Sequence, residues 1–175
     1  SPQPPKFQRY RYQQPSVAPG HSARSEALFV QGFEAQKAGA HTQAMTAYRA
    51  AIQADPSNFA AQFNLGVTAF DSAVWPEALR AFEAATRIKP ADESARLNFA
   101  LTLDRASYPI DAVAELDALV AGKPDTIDAH LQLASLCAQK LADIPKARLH
   151  YRKVLDLDPN HPQADAIRRW LVANR

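Results

Sequence analysis

From about Ser25 onward, apolar residues recur at steps of three and four, the spacing that keeps side chains on one face of an α-helix. The pattern breaks at short polar or proline-containing turns, and between the breaks it predicts helices over 25–38, 41–54, 59–72, 76–88, 93–106, 109–121, 127–140 and 145–157. Pro76, Pro109 and Pro145 fall in predicted first turns, where a missing N–H costs little. A ninth helix is predicted over 162–173. Ala164, Ile167 and Leu171 form its apolar stripe, and Asp165, Arg168 and Arg169 face water. The chain reads as all-α.

The helices repeat in pairs. Pro56, Pro90, Pro124 and Pro159 are spaced by 34, 34 and 35 residues. Ala44, Ala78, Ala112 and Ala147 keep the same spacing, as do Tyr48, Phe82, Leu116 and Tyr151. The small residues Gly32, Gly66, Ala100 and Ala134 stay at 34 throughout. One residue has therefore been inserted between Ala134 and Ala147, expected in the turn around Lys140 to Pro145. Four residue classes in one register define units over 25–58, 59–92, 93–126 and 127–161, with a helix over 162–175 covering the last open face. The segment 59–90 is the cleanest copy.

This register resembles the tetratricopeptide repeat family, whose unit is a 34-residue antiparallel helix pair. The family's small positions fall on Gly32, Gly66, Ala100 and Ala134 in the first helices and on Ala44, Ala78, Ala112 and Ala147 in the second. Its closing proline falls on Pro56, Pro90, Pro124 and Pro159. The first-helix Trp of the family pattern is replaced by Leu28, Gln62, Arg96 and His130. Its first-helix Tyr is replaced by Ala35, Ala69, Leu103 and Cys137. The later small residue persists as Ala51 and Ala85 but becomes Leu119 and Val154, so units three and four are expected to pack with altered spacing. The resemblance implies a right-handed superhelix, an α-solenoid of four helix pairs plus the C-terminal cap. Small positions let paired helices approach closely, and the bulky Tyr48, Phe82, Leu116 and Tyr151 are expected to fill the wedge between neighbouring pairs.

Residues 1–24 are different. They hold Pro2, Pro4, Pro5, Pro15 and Pro19, which favour extended backbone, with Phe7, Tyr10 and Tyr12 interleaved among Lys6, Arg9 and Arg11. Two readings follow: a solvated linker, or a docking arm for a groove on this chain, a neighbouring chain or another protein. About 24 residues of such backbone reach on the order of 75 Å.

Composition then narrows the function. The formal charge of +2 divides into +4 on the first 24 residues and −2 on the remainder, which gives the folded part no basic footprint for nucleic acid. No apolar run approaches the ~18–20 residues that span a bilayer. Cys137 is the single cysteine, so no internal disulfide forms. The chain begins at Ser1 rather than Met, which marks a processed form or a piece of a longer chain. A leader or anchor upstream would lie out of view. The reading leans to the cytoplasm, with a periplasmic placement behind such a segment as the alternative.

Catalytic and metal constellations are not expected. His21, His41, His130, His150 and His161 are scattered and lack metal-site spacing. His130 and Cys137 lie seven apart on one predicted helix, two groups of a tetrahedral set at best. There is no Gly-rich phosphate loop, no GxSxG and no CxxC. The chain reads as a non-enzyme needing no cofactor.

The resemblance implies a concave groove lined by the first helix of each pair. Phe29, Phe33, Phe63, Asn64, Val67, Phe70, Asn98, Leu101 and Gln132 would point into it. In some members of the family, asparagines at the places of Asn64 and Asn98 form a ladder that holds a peptide backbone, since an amide offers both a donor and an acceptor. Capping or bridging within the helix pair is the alternative for these residues. The four Phe would receive apolar side chains of a partner, or be core. Phe29 and Phe33 stand where the family's carboxylate-clamp subclass carries Lys and Asn, which argues against that clamp. The expected function is a protein–protein interaction scaffold binding a partner's peptide segment in the groove. The alternative is a structural subunit that self-associates through residues 1–24, with Phe7, Tyr10 and Tyr12 docking on a neighbouring chain. Neither nucleic acid nor membrane insertion is expected.

Overall fold

The computed structural model describes residues 7–175, so Pro2, Pro4, Pro5 and Lys6 of the arm lie outside the described residues. The elements are α1 Ser22–Lys37, α2 His41–Ala54, α3 Phe59–Asp71, α4 Trp75–Ile88, α5 Glu93–Arg105, α6 Pro109–Gly122, α7 Ile127–Leu136, α8 Ile144–Leu157 and α9 Ala164–Ala173, with a π-helical turn over Cys137–Leu141. The described residues contain no strand. Helix α1 begins three residues earlier than its periodicity predicts, and Pro162 precedes α9 rather than opening it. The helices belong to two compact units. One comprises residues 10–106 and holds α1–α5; the other comprises residues 107–175 with the arm as far as Arg9, and holds α6–α9.

In the first unit, α1 packs on α2, α2 on α3, α3 on α4 and α4 on α5. The close approach within each pair is set by a glycine beneath an aromatic ring. A Cβ added to Gly32 would stand 2.7 Å from the ring of Tyr48, and one added to Gly66 would stand 2.7 Å from the ring of Phe82. Both rings are fully buried. They lie against the first helix of their own pair: Tyr48 also meets Phe29 and donates its hydroxyl to Gln36, while Phe82 also meets Phe63. Burial without a charged partner pushes the Tyr48 phenol up to about 12, which keeps it a neutral donor.

Three repeated devices went unseen in the sequence. After each first helix the chain turns through one residue in the left-handed region: Gly39 at φ 75°, Ala73 at 56°, Ser107 at 70° and Ala142 at 54°. Only the first of these is glycine. Because a Cβ in that region costs about 1–2 kcal/mol, Ala73→Gly is expected to raise the stability of the full chain by up to about 1 kcal/mol after the entropic cost of glycine. A urea unfolding curve checks this.

The second device places the inserted residue. Ala40 N–H donates to Ala35 and Val74 N–H donates to Ala69, five residues back in each case. In the fourth unit, Asp143 N–H donates to Cys137, six back, across the π-turn. A π-turn is the backbone's way of absorbing one extra residue in a helix. The insertion thus sits in the last turn of the first helix, earlier than the loop where it was expected.

The third device uses the positions where the family pattern has Trp. Gln62 donates to the carbonyl of Pro56 at 3.3 Å, Arg96 to that of Pro90 at 3.2 Å, and the His130 ring nitrogen Nε2 meets that of Pro124 at 2.8 Å. Pro56, Pro90 and Pro124 are thus each tied to the next first helix by one polar side chain.

In the second unit, Ala134, Tyr151, Val154 and Ile167 form a buried cluster joined by Trp170 and Leu171. The Trp170 ring lies 4.9 Å from that of Tyr151, which seats α9 on α8. Cys137 is buried, and burial pushes its thiol up to about 11, so it is not a thiolate at neutral pH.

His130 finds its partner in His150 rather than in Cys137. The two Nδ1 atoms are 2.9 Å apart and both rings are buried. Because Pro124 offers only a carbonyl acceptor, Nε2 of His130 carries the proton. Its Nδ1 then accepts from the Nδ1–H of His150. Burial, reinforced by the neighbouring His130 and Lys146 against the opposing effect of Asp117, lowers the His150 pKa to about 4. An unfolded histidine protonates near 6.5. The contribution of His150 to stability is therefore complete above pH 6.5 and is lost as pH falls toward 4, by at most about 1.4 kcal/mol per pH unit. Urea midpoints measured at pH 7, 6, 5 and 4 are expected to drop through that window, and His150→Gln to flatten the drop.

Candidate peptide-binding face and the docked arm

Helices α1, α3 and α5 carry most of the groove residues anticipated from the sequence, all within the first unit. Their exposure separates them. Phe29 is half-buried, stacked at 6.0 Å on Phe33 and 5.8 Å from Tyr48. Phe63 is half-buried between Phe59 and Phe82, each 5.8 Å away. Phe70 is half-buried against Trp75 at 5.3 Å. Val67 and Leu101 are also half-buried. Phe33 alone of the four is exposed, at 43%, and one turn before it on α1 Val30 is 49% exposed. The Lys37 ammonium sits 5.6 Å from the Phe33 ring centre. This pair is the exposed apolar part of these helices.

The carboxamides are half committed. Asn64 donates from Nδ2 to the carbonyl of Ala60 at 2.9 Å, and Asn98 from Nδ2 to that of Ser94 at 2.8 Å. Thr68 and Thr102 then donate to the main-chain carbonyls of Asn64 and Asn98. The second and third repeats thus share one arrangement, in which each amide braces its own helix with one N–H and keeps its oxygen and second N–H. Gln132 lies half-buried on α7, in the second unit.

Among the described arm residues, Tyr10 to Gln14 pack on their own chain. Tyr10 is buried, its ring 5.9 Å from Phe99 of α5, and Tyr12 lies 6.0 Å from the same ring. The Tyr10 hydroxyl donates to Glu83 Oε2 at 2.8 Å. Gln13 and Gln14 donate their backbone N–H groups to the same carboxylate, at 3.0 and 2.6 Å. Glu83 on α4 is only 3% exposed, a buried carboxylate serving three donors from one short segment.

Farther on, Gly20 N–H donates to Asp55, whose carboxylate also accepts from the backbone and hydroxyl of Ser57. The Ser57 hydroxyl is the main cause holding the Asp55 carboxyl below its usual range. A Cβ on Gly20 would stand 2.3 Å from the Ala54 carbonyl oxygen, so only glycine passes there. In the second unit, Arg9 reaches Asp111 with bonds of 2.9 to 3.3 Å. Phe7 is half-buried and belongs with Arg9, apart from Tyr10 and Tyr12. Glu83, Asp55 and Phe99 were absent from the sequence-based candidates, because no helical spacing marks a residue whose partner lies 35 or more positions away.

Among the described residues, no group of three or more His, Cys, Asp or Glu side chains is placed to hold a metal ion. No helix among them is long and apolar enough to cross a membrane.

The fold is an α-solenoid built from paired helices. Residues 29–93 and 127–161 match models of the tetratricopeptide repeat, together more than half of the 175 residues, and the chain belongs to the tetratricopeptide repeat family. Among solved structures, it is similar to MamA, with 18% identity over 86% of this chain and 87% of that one and a TM-score of 0.76. It is similar also to a tetratricopeptide repeat protein from Parabacteroides merdae ATCC 43184, with 20% identity, 87% and 60% coverage and a TM-score of 0.79. A third is YrrB, described as a TPR protein with an unusual peptide-binding site, with 19% identity, 85% and 77% coverage and a TM-score of 0.68. At these identities the likeness is one of fold. No curated protein matches the sequence.

Proposed function

We propose that this chain is a non-catalytic protein-interaction scaffold that holds an extended peptide segment of a partner against α1, α3 and α5. The exposed pair Val30 and Phe33 carries the reading, because these side chains leave large apolar area on α1 while the carboxamides of α3 and α5 retain hydrogen-bonding capacity. Asn64 and Asn98 would bond the partner's backbone, and Phe33 would take an apolar side chain. Phe29, Phe63, Val67, Phe70 and Leu101 would form the half-buried floor. The likeness to YrrB, whose description names a peptide-binding site, supports this assignment by analogy of fold.

Burying the rest of Phe33 is worth on the order of 1.5 kcal/mol, about tenfold in affinity. A peptide selected from a displayed library on the full chain is expected to bind at about micromolar strength. Phe33→Ser is expected to weaken it about tenfold or more with helicity unchanged. Phe63 is a poorer test, since its ring also supports Phe82. Selected peptides that bind Phe33→Ser as tightly as wild type would refute the assignment.

A further inference from the structure

We propose that the Glu83 site is also a docking site for the arm of a second copy of this chain, with exchange hinged at Gln14–Pro15. The inference is independent of the α1–α3–α5 face and rests on the contacts and strain of the arm.

The site has the features of a peptide receptor. Its floor is Phe99, against which Tyr10 and Tyr12 set their rings edge-on. Its anchor is the buried Glu83 carboxylate, which accepts one tyrosine hydroxyl and two consecutive backbone N–H groups. A segment with tyrosine three residues ahead of two free amides satisfies it, and residues 10–14 of any copy supply that chemistry. A vacated site would lack all three of these donors, and a second arm would restore them.

The connection in cis is strained. Gln14 ends the docked segment at φ 49°, in the left-handed region, and the next residue is Pro15. A non-glycine side chain is disfavoured there, and a following proline pushes its predecessor toward extended backbone. Letting Gln14 extend removes that strain and swings residues 10–13 away from their own α4. Beyond the hinge, Gly20 and His21 remain tied to Asp55 and Ala54, so the pivot is short and fixed at its far end. Strained short hinges are the recognised origin of exchanged segments between identical chains. In each exchanged pair, the contacts at Glu83 are the same as in the closed chain, and only the hinge differs.

The experiment uses two full-length variants. A donor carries Glu83→Gln with Asp111→Asn, which weakens the two carboxylate contacts to its own arm while leaving the arm intact. An acceptor carries Arg9→Ala with Tyr10→Ala, which frees its own Glu83 site. Each alone is expected to sediment as a monomer at about 100 µM, and their mixture as a one-to-one heterodimer. For the wild type, the dimer fraction is expected to grow with concentration, and Gln14→Gly, which relaxes the closed hinge, to reduce it several-fold. A mixture that stays monomeric while both variants keep wild-type helicity would overturn the proposal. So would a heterodimer that survives adding Tyr10→Ala to the donor. If either variant loses helicity, the wild-type comparison decides, and equal dimer fractions for wild type and Gln14→Gly overturn it.

Discussion

Gly66→Leu is expected to destabilise the full chain by about 3 kcal/mol in chemical denaturation. Even a lone Cβ at this position meets three ring carbons of Phe82 at 2.7 to 2.8 Å, and that ring is fully buried with no open space to turn into. Either α3 moves away from α4 or the ring leaves its place, and both open the centre of the pair. Gly66→Ala is a gentler version, because alanine's better helix propensity returns about 1 kcal/mol. The interaction is specific to the ring. Gly66→Ala combined with Phe82→Leu should therefore cost less than the sum of the two single changes, a non-additivity expected only for touching residues. Strict additivity would place the cost elsewhere.

Glu83→Ala is expected to cost about 2–4 kcal/mol and to release the arm. The substitution removes the acceptor for Tyr10, Gln13 and Gln14 together. Hydrogen exchange reads this locally: the Gln13 and Gln14 amides, protected in the wild type, should exchange at nearly free rates, while amides of α1 and α2 stay protected. Glu83→Gln keeps one acceptor oxygen and should lie between the two. Unchanged protection at Gln13 and Gln14 in Glu83→Ala would show that the arm is held by Phe99 packing rather than by the carboxylate.

Most of the helical plan was legible because it is periodic. Proline, alanine and aromatic positions recurring every 34 residues placed the helices to within a few residues, and the register also revealed an insertion in the fourth unit. The location of that insertion was not legible: a π-turn at Cys137–Leu141 and a longer loop have the same length in sequence. The left-handed positions were hidden because three of the four are Ala or Ser, which carry no mark of positive φ. The role of Gln62, Arg96 and His130 was hidden by their differing chemistry, although each bonds a proline carbonyl six residues back.

At the candidate face, periodicity chose the helix surface but could not divide it. Phe63 and Phe33 occupy similar helical positions, and only packing against Phe59 and Phe82 makes one a floor residue and the other exposed. The arm shows the same limit more sharply. Its aromatic and basic residues signalled docking, yet the receptor on Glu83 and Phe99 is a meeting of distant segments that local pattern cannot encode.

In the proposed function, the exposed apolar pair on α1 and the carboxamides of α3 and α5 would form one binding face. Amide and side-chain NMR of the full chain, titrated with a library-selected peptide, tests it most directly. The account predicts shifts concentrated at Val30, Phe33, Asn64, Val67 and Asn98, with saturation at about micromolar peptide and loss of those shifts in Phe33→Ser. Shifts confined to other helices, or a Phe33→Ser protein with an unchanged titration, would contradict it.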